Sequence, residues 1–240
     1  MIVDTPAALA RIFAARFEAA ARDAIAAHGH FSCALPGGSV AETFFPALAA
    51  AAVEWRRVDF FWGDERAVPP TDPDANYGLA RRLWLDHVPL DPARVHRMRG
   101  EAPDLGAAAA AYEHELAHAL GGHPLDLVLL GMGPEGHVCS LFPTHAALRE
   151  STHSVVAIDD SPKPPPRRLT LTLVPLAAVP LVCVAAFGAE KAAAAAEAVE
   201  APASLLPAAL AARGGLRSLF LLDPAAASRL TPAGSSAPRR

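Results

Sequence analysis

Residues 125–145 read LDLVLLGMGPEGHVCSLFPTH. The first six, Leu125 to Leu130, are short and nearly all apolar, which fits a strand buried on both faces. Gly131-Met132-Gly133-Pro134-Glu135-Gly136 follows and stops the strand in a tight turn. His137 stands just beyond it. In an open α/β sheet, ligands lie at the carboxyl ends of the strands, so this turn is a candidate active-site edge. An imidazole placed there works near neutral pH without a large pKa shift.

The flanking sequence alternates between the two periods. Thr5-Pro6 supplies an N-cap and a first-turn proline, and Leu9, Ile12, Phe13 and Phe17 recur at helical spacing, so residues 6–28 are expected as an amphipathic helix. Strands are expected at 31–35 and 58–62, with a helix between them reaching about Ala52. Asp64-Glu65-Arg66 is expected to end the second strand as a charged turn. Then come a helix over 76–87, a short strand at 94–98 and an alanine-rich helix over 104–120. After the opening stretch, strands are expected at 155–158, 169–173, 181–187 and 216–222, with a helix at 189–199. Strands alternating with helices predict an α/β fold: one mostly parallel, Rossmann-like sheet, helices on both faces, a single domain over residues 1–230. The last ten residues, TPAGSSAPRR, are expected to be a disordered tail.

Composition narrows the function classes. The chain has 240 residues, 52% of them hydrophobic, and a net charge of −4. That charge argues against a nucleic-acid surface. No run approaches the ~20 apolar residues of a membrane span, and the N-terminus lacks a signal-peptide pattern. Three scattered cysteines, Cys33, Cys139 and Cys183, predict reduced thiols and a cytoplasmic setting. The protein is expected as a monomer or small homo-oligomer. Its basic residues are nearly all arginine; Lys163 and Lys191 are the lysines. Either they survive by chance or they mark places where a compact ammonium is required.

Other loops can carry chemistry. Leu35-Pro36-Gly37-Gly38-Ser39 joins a strand to a helix through two glycines and a hydroxyl, the pattern that aims backbone N–H groups at a phosphate; a plain tight turn uses the same residues. Phe60-Phe61-Trp62-Gly63-Asp64-Glu65-Arg66 passes from aromatics to charges at a strand end. Ser161-Pro162-Lys163-Pro164-Pro165-Pro166-Arg167-Arg168 reads as a stiff prolyl segment holding cations over a site. His114-Glu115-Leu116-Ala117-His118 matches the HExxH zinc pattern, but the third histidine of the longer pattern is displaced and Pro124 takes its place. A solvated helix face is the expectation there, with no metal.

Read together, LPGGS at 35–39, FFWGDERAVPPTDPDANY at 60–77, residues 125–145, SPKPPPRRLTLT at 161–172 and GAEK at 188–191 resemble the 6-phosphogluconolactonase family, and more distantly the glucosamine-6-phosphate deaminases that share its fold. The resemblance implies hydrolysis of 6-phospho-D-glucono-1,5-lactone, a small sugar-phosphate lactone, without metal or cofactor. It implies His137 as general base and Gly37, Gly38, Ser39, Arg168 and Lys191 around the phosphate. Backbone amides near Gly133 to Gly136 are implied as oxyanion donors. Arg66 is expected to orient substrate and Asp64 to fix Arg66, His137 or a sugar hydroxyl. Val40, Ala75, Glu135 and Val138 depart from the family's usual Thr, Ser, Asp and Thr. The competing classes are a hexosamine-phosphate isomerase or deaminase, a non-catalytic sugar-phosphate sensor, and a zinc peptidase at His114 and His118.

Overall fold

In the computed structural model, which describes residues 1–231, a six-stranded sheet forms the centre. The elements in chain order are β1 (Ile2–Val3), α1 (Pro6–His28), β2 (Phe31–Leu35), α2 (Gly38–Ala49), β3 (Val58–Trp62), β4 (Asp64–Arg66), α3 (Asn76–Leu83), α4 (Leu105–Leu120), β5 (Leu127–Gly131), β6 (Val155–Ile158), β7 (Arg168–Leu171), β8 (Leu181–Ala186), α5 (Ala192–Glu200), α6 (Pro207–Gly214) and β9 (Ser218–Leu222). The sheet order is β1-β9-β8-β5-β2-β3, and every pairing in it is parallel. The expected mostly parallel α/β sheet is therefore present. The tail expected to be disordered lies, from residue 232, outside the described residues.

The period of two along each strand divides the core. Cys33, Leu35, Leu127, Leu129, Cys183 and Ala185 face one layer, where Phe13 and Phe17 of α1 meet Phe44 and Phe45 of α2. Ala34, Val128, Leu130, Val182 and Val184 face the other, against Leu105, Tyr112 and Leu116 of α4 and the alanines of α5 and α6. Phe17 meets Phe31 edge-on at 5.0 Å and Trp84 at 5.6 Å. Each such ring, fully buried, contributes about 1.5–3 kcal/mol.

Chain order reverses between β2 and β5. From β2 the winding goes outward to β3; from β5 it goes the other way through β8 and β9. That switch point opens a crevice at the strands' carboxyl ends. The loops 36–37 and 132–137 flank it.

Several expectations need correction. Asp64-Glu65-Arg66 does not end β3 as a turn. It forms β4 of a second, antiparallel sheet, β4-β7-β6, with Arg66 opposite Arg168. Its carboxylates tolerate burial because each accepts hydrogen bonds, as described below. Residues 94–98 do not form a strand: Asp91 caps a 3-10 turn at Pro92–Arg94, leaving a single bridge from Val95 to Phe60. The helix expected over 76–87 ends at Leu83, because Trp84 leaves helical geometry to enter the aromatic core. Residues 189–191 are a 3-10 turn before α5. β1 and α6 were not anticipated; β1 has two residues, too few for any period to show.

Candidate active site

The switch-point loops enclose a cavity of about 270 Å³. Gly37, Gly38 and Ser39 line it beyond β2, Asp64 and Arg66 on β4, and Gly133 and His137 beyond β5. Arg168 reaches it from β7 and Lys191 from the turn before α5. Of the expected site residues, Gly136 alone stays out of the wall. Asn76, Cys139 and Lys163 join it.

His137 is held at one edge. Its Nδ1 lies 3.1 Å from Glu135 Oε1. The other oxygen of Glu135 accepts from Lys163 Nζ at 3.1 Å, and that ammonium is 3.5 Å from Nδ1. With Nδ1 against a carboxylate, a neutral ring carries its proton there and keeps the Nε2 lone pair free. Phe142 covers the ring at 4.7 Å between centroids. Burial, and then the Lys163 charge, pull the His137 pKa below the ordinary histidine value, against Glu135, which raises it. Burial works to raise the Glu135 pKa, yet its own backbone N–H, His137 and Lys163 keep it below the usual range. Glu135, met in the sequence as a departure from Asp, is thus the group that orients the ring.

The glycine loop is shaped around the imidazole. A Cβ on Gly133 would lie 2.0 Å from His137 Cε1 and Nδ1. The turn also uses its own amides: Gly133 N–H donates to His137 O at 2.9 Å and Gly136 N–H to Gly133 O at 3.0 Å. Neither is free for an oxyanion, which corrects the expectation for both residues. A turn this tight satisfies its amides internally.

Anion-seeking groups lie in the same cavity. α2 begins at Gly38 with no side-chain cap, so its first N–H groups are open. A Cβ on Gly37 would lie 1.7 Å from Asn76 Oδ1, so only glycine lets the two segments meet. Lys191, beside the start of α5, is in no ion pair among the described residues. Burial lowers its pKa, and Lys163 adds to that. A cation at a helix N-terminus is unfavourable unless an anion joins it.

Arg168, expected on the phosphate, is buried and turned inward. Its Nε donates to Pro165 O at 2.9 Å, and Nη2 donates to Lys163 O at 3.0 Å and Pro164 O at 3.2 Å. Nη1 is 3.4 Å from Ser140 Oγ and 3.7 Å from Asp64 Oδ2. Asp64 holds neither Arg66 nor His137. It accepts from Ser140 Oγ at 2.7 Å and from Asn76 Nδ2 at 3.1 Å. Arg66 Nη1 donates to Asp74 O at 2.6 Å instead.

Sequence reasoning missed Glu65, Asn76 and Ser140. Glu65 Oε1 accepts from the amides of Arg66 and Asn76 and Oε2 from that of Tyr77, each at 2.8 Å. Burial pushes its pKa up to about 7 against those three amides. The only signal was a polar residue inside a motif already quoted, with nothing to show which way it turned. The HExxH stretch lies along α4 with His114 and His118 exposed, and Glu115 pairs with His96 Nδ1 at 2.9 Å. No three metal-ligating side chains converge among the described residues.

A profile of the glucosamine-6-phosphate isomerase/6-phosphogluconolactonase family matches residues 4–220. The chain is 42% identical over 236 residues to a 6-phosphogluconolactonase of Streptomyces coelicolor, covering 92% of this chain and 90% of that protein. It is 45% identical over 217 residues to the enzyme of the same name from Mycobacterium tuberculosis, covering 86% and 88%. The 6-phosphogluconolactonase structure from Trypanosoma cruzi superposes with a TM-score of 0.83 at 27% identity, covering 96% of both chains. With sequence likeness, profile and fold in agreement over most of its length, the chain belongs to the glucosamine-6-phosphate isomerase/6-phosphogluconolactonase family.

Proposed function

We propose that the protein hydrolyses 6-phospho-D-glucono-1,5-lactone to 6-phosphogluconate, a step of the oxidative pentose phosphate pathway, with His137 as general base and no metal or cofactor. One observation carries the reading: a carboxylate-oriented imidazole shares a cavity with an open helix N-terminus and a lysine, Lys191, that is in no ion pair among the described residues. The substrate phosphate sits against the Gly37-Gly38-Ser39 turn and Lys191. His137 Nε2 takes a proton from water as its oxygen bonds to the lactone C1. The tetrahedral intermediate then collapses, the bond from C1 to the ring oxygen breaks, and the imidazolium returns the proton to that oxygen. The product forms as the hydroxy acid, loses its carboxyl proton to solvent and leaves as a carboxylate, with His137 neutral again.

The test is hydrolysis of freshly prepared lactone, coupled to 6-phosphogluconate dehydrogenase and corrected for spontaneous opening, with and without EDTA. A rate well above the blank and indifferent to EDTA supports the proposal. No rate above the blank refutes it, and EDTA-sensitive turnover refutes its metal-free form. Glucosamine 6-phosphate, run alongside, detects deaminase activity.

A further inference from the structure

The glycine loop brings Glu135 to His137, but Lys163, the group that completes the pair, comes from the prolyl loop between β6 and β7. A lysine has a long, freely rotating stem, so its place depends on the backbone beneath it. That backbone is tied down. The carbonyls of Lys163, Pro164 and Pro165, three in succession, all accept from the Arg168 guanidinium. Ser161 Oγ donates to Lys163 O at 2.9 Å and accepts from Lys163 N at 3.2 Å. The prolines restrict φ at each step. Arg168 is fixed in turn by its place in β7, opposite Arg66, and by Asp64 and Ser140. A guanidinium with three of its N–H groups on one loop's carbonyls is built as a clamp, with little left to offer a phosphate.

We infer that Arg168 and Lys163 are positioning residues for the base: Arg168 anchors the prolyl loop so that the Lys163 ammonium stands beside the imidazole, holds Glu135 in place against it and keeps His137 neutral. This rests on the lactonase reading and departs from the phosphate role that family resemblance implied for Arg168. The charged groups around the ring are Glu135 on its own loop, Lys163 on the prolyl loop and Asp64 on β4, with Lys191 acting on the Lys163–Glu135 pair from the turn before α5. Lys163 is the cation nearest the ring. Its removal leaves Glu135 alone at Nδ1, and a lone carboxylate favours the imidazolium, which cannot act as a base.

The experiment compares full-length wild type, Lys163→Met and Arg168→Lys on 6-phosphogluconolactone and on unphosphorylated D-glucono-1,5-lactone across pH. For Lys163→Met, the rate at about pH 5.5 relative to that at about pH 7.5 falls roughly threefold or more below the wild-type ratio, because the ring now protonates at higher pH. For Arg168→Lys, kcat falls about tenfold or more on both lactones with KM little changed, and the acid limb moves the same way. A Lys163→Met profile that superposes on wild type overturns the inference. So does an Arg168→Lys effect confined to KM for the phosphorylated lactone, which assigns Arg168 to the phosphate. NMR titration of the His137 ring in wild type and Lys163→Met reads the same shift without turnover. It decides the question if Arg168→Lys does not fold, and it separates failure of this inference from failure of the lactonase reading, which shows as an inactive wild type.

Discussion

Gly133→Ala is the sharpest single test of the base. The added Cβ would sit 2.0 Å from His137 Cε1 and Nδ1 and 3.0 Å from Glu135 Oε2. Non-bonded carbons rest about 3.5–4.0 Å apart, so the ring must retreat by roughly 1.5 Å. Phe142 covers one face at 4.7 Å, and Glu135 and Lys163 occupy the Nδ1 edge, so the retreat breaks the Nδ1 contacts or carries the ring into the cavity. A misplacement of about 1 Å in a catalytic group costs roughly 100-fold in rate, and kcat should fall by at least that. Overpacking costs about 1–3 kcal/mol, enough to lower Tm by several degrees while the protein stays folded at room temperature. The coupled lactone assay reads the first effect and a thermal melt the second. Gly121→Ala is the control. Its φ of 58° strains an alanine, but nothing lies within 4 Å of the new Cβ. It should lose roughly 1 kcal/mol and keep its kcat. If Gly133→Ala stays within about threefold of wild-type kcat while its melt shows the overpacking, the ring's position does not matter and His137 is not the base.

Other outcomes follow from the same geometry. His137→Ala should lower kcat at least ~100-fold in the coupled assay. Because burial and Lys163 depress its pKa, His137 stays unprotonated to lower pH than a free imidazole. The wild-type rate should therefore hold from neutral pH downward and decline only as pH drops through a value below 6.5, which a pH–rate profile checks. Lys191→Ala should raise KM for the phosphorylated lactone about tenfold or more and leave the rate on D-glucono-1,5-lactone nearly unchanged, since only the former carries the anion. Glu65→Gln should cost about 1–3 kcal/mol, because an amide N–H would then face the backbone N–H groups that the carboxylate accepts. The sign of its pH effect is set by a folded pKa raised from 4.5 to about 7: this group's contribution is fully present below about 4.5 and is lost as pH rises through about 7. The wild-type minus variant difference in Tm should shrink over that window.

Most of the sheet was legible because its strands are apolar runs bounded by glycine and proline, and its helices are long enough to show their period. Leu125 to Leu130 and the turn after it placed His137 at a strand's carboxyl end without any structure. The LPGGS turn marked the helix N-terminus that opens on the same cavity. The family itself was readable from ordered motifs across residues 35–191. What a one-dimensional pattern does not carry is direction. Asp64-Glu65-Arg66 has the composition of a solvated turn, and its conversion into a buried strand depends on Thr170 and Leu169 arriving about a hundred residues later. Gly133 and Gly136 looked like oxyanion donors because glycine amides are accessible; the fold closes those amides on carbonyls within the turn. Arg168 was expected on the phosphate because it matches a cationic position of the family. Only the folded chain shows three of its N–H groups directed at carbonyls of its own loop. Sequence determined which loops reach the site, since local pattern places strand ends and turns. Tertiary structure decided what each one does there, because a side chain's role depends on which donors and charges remain unpaired once distant segments have packed around it.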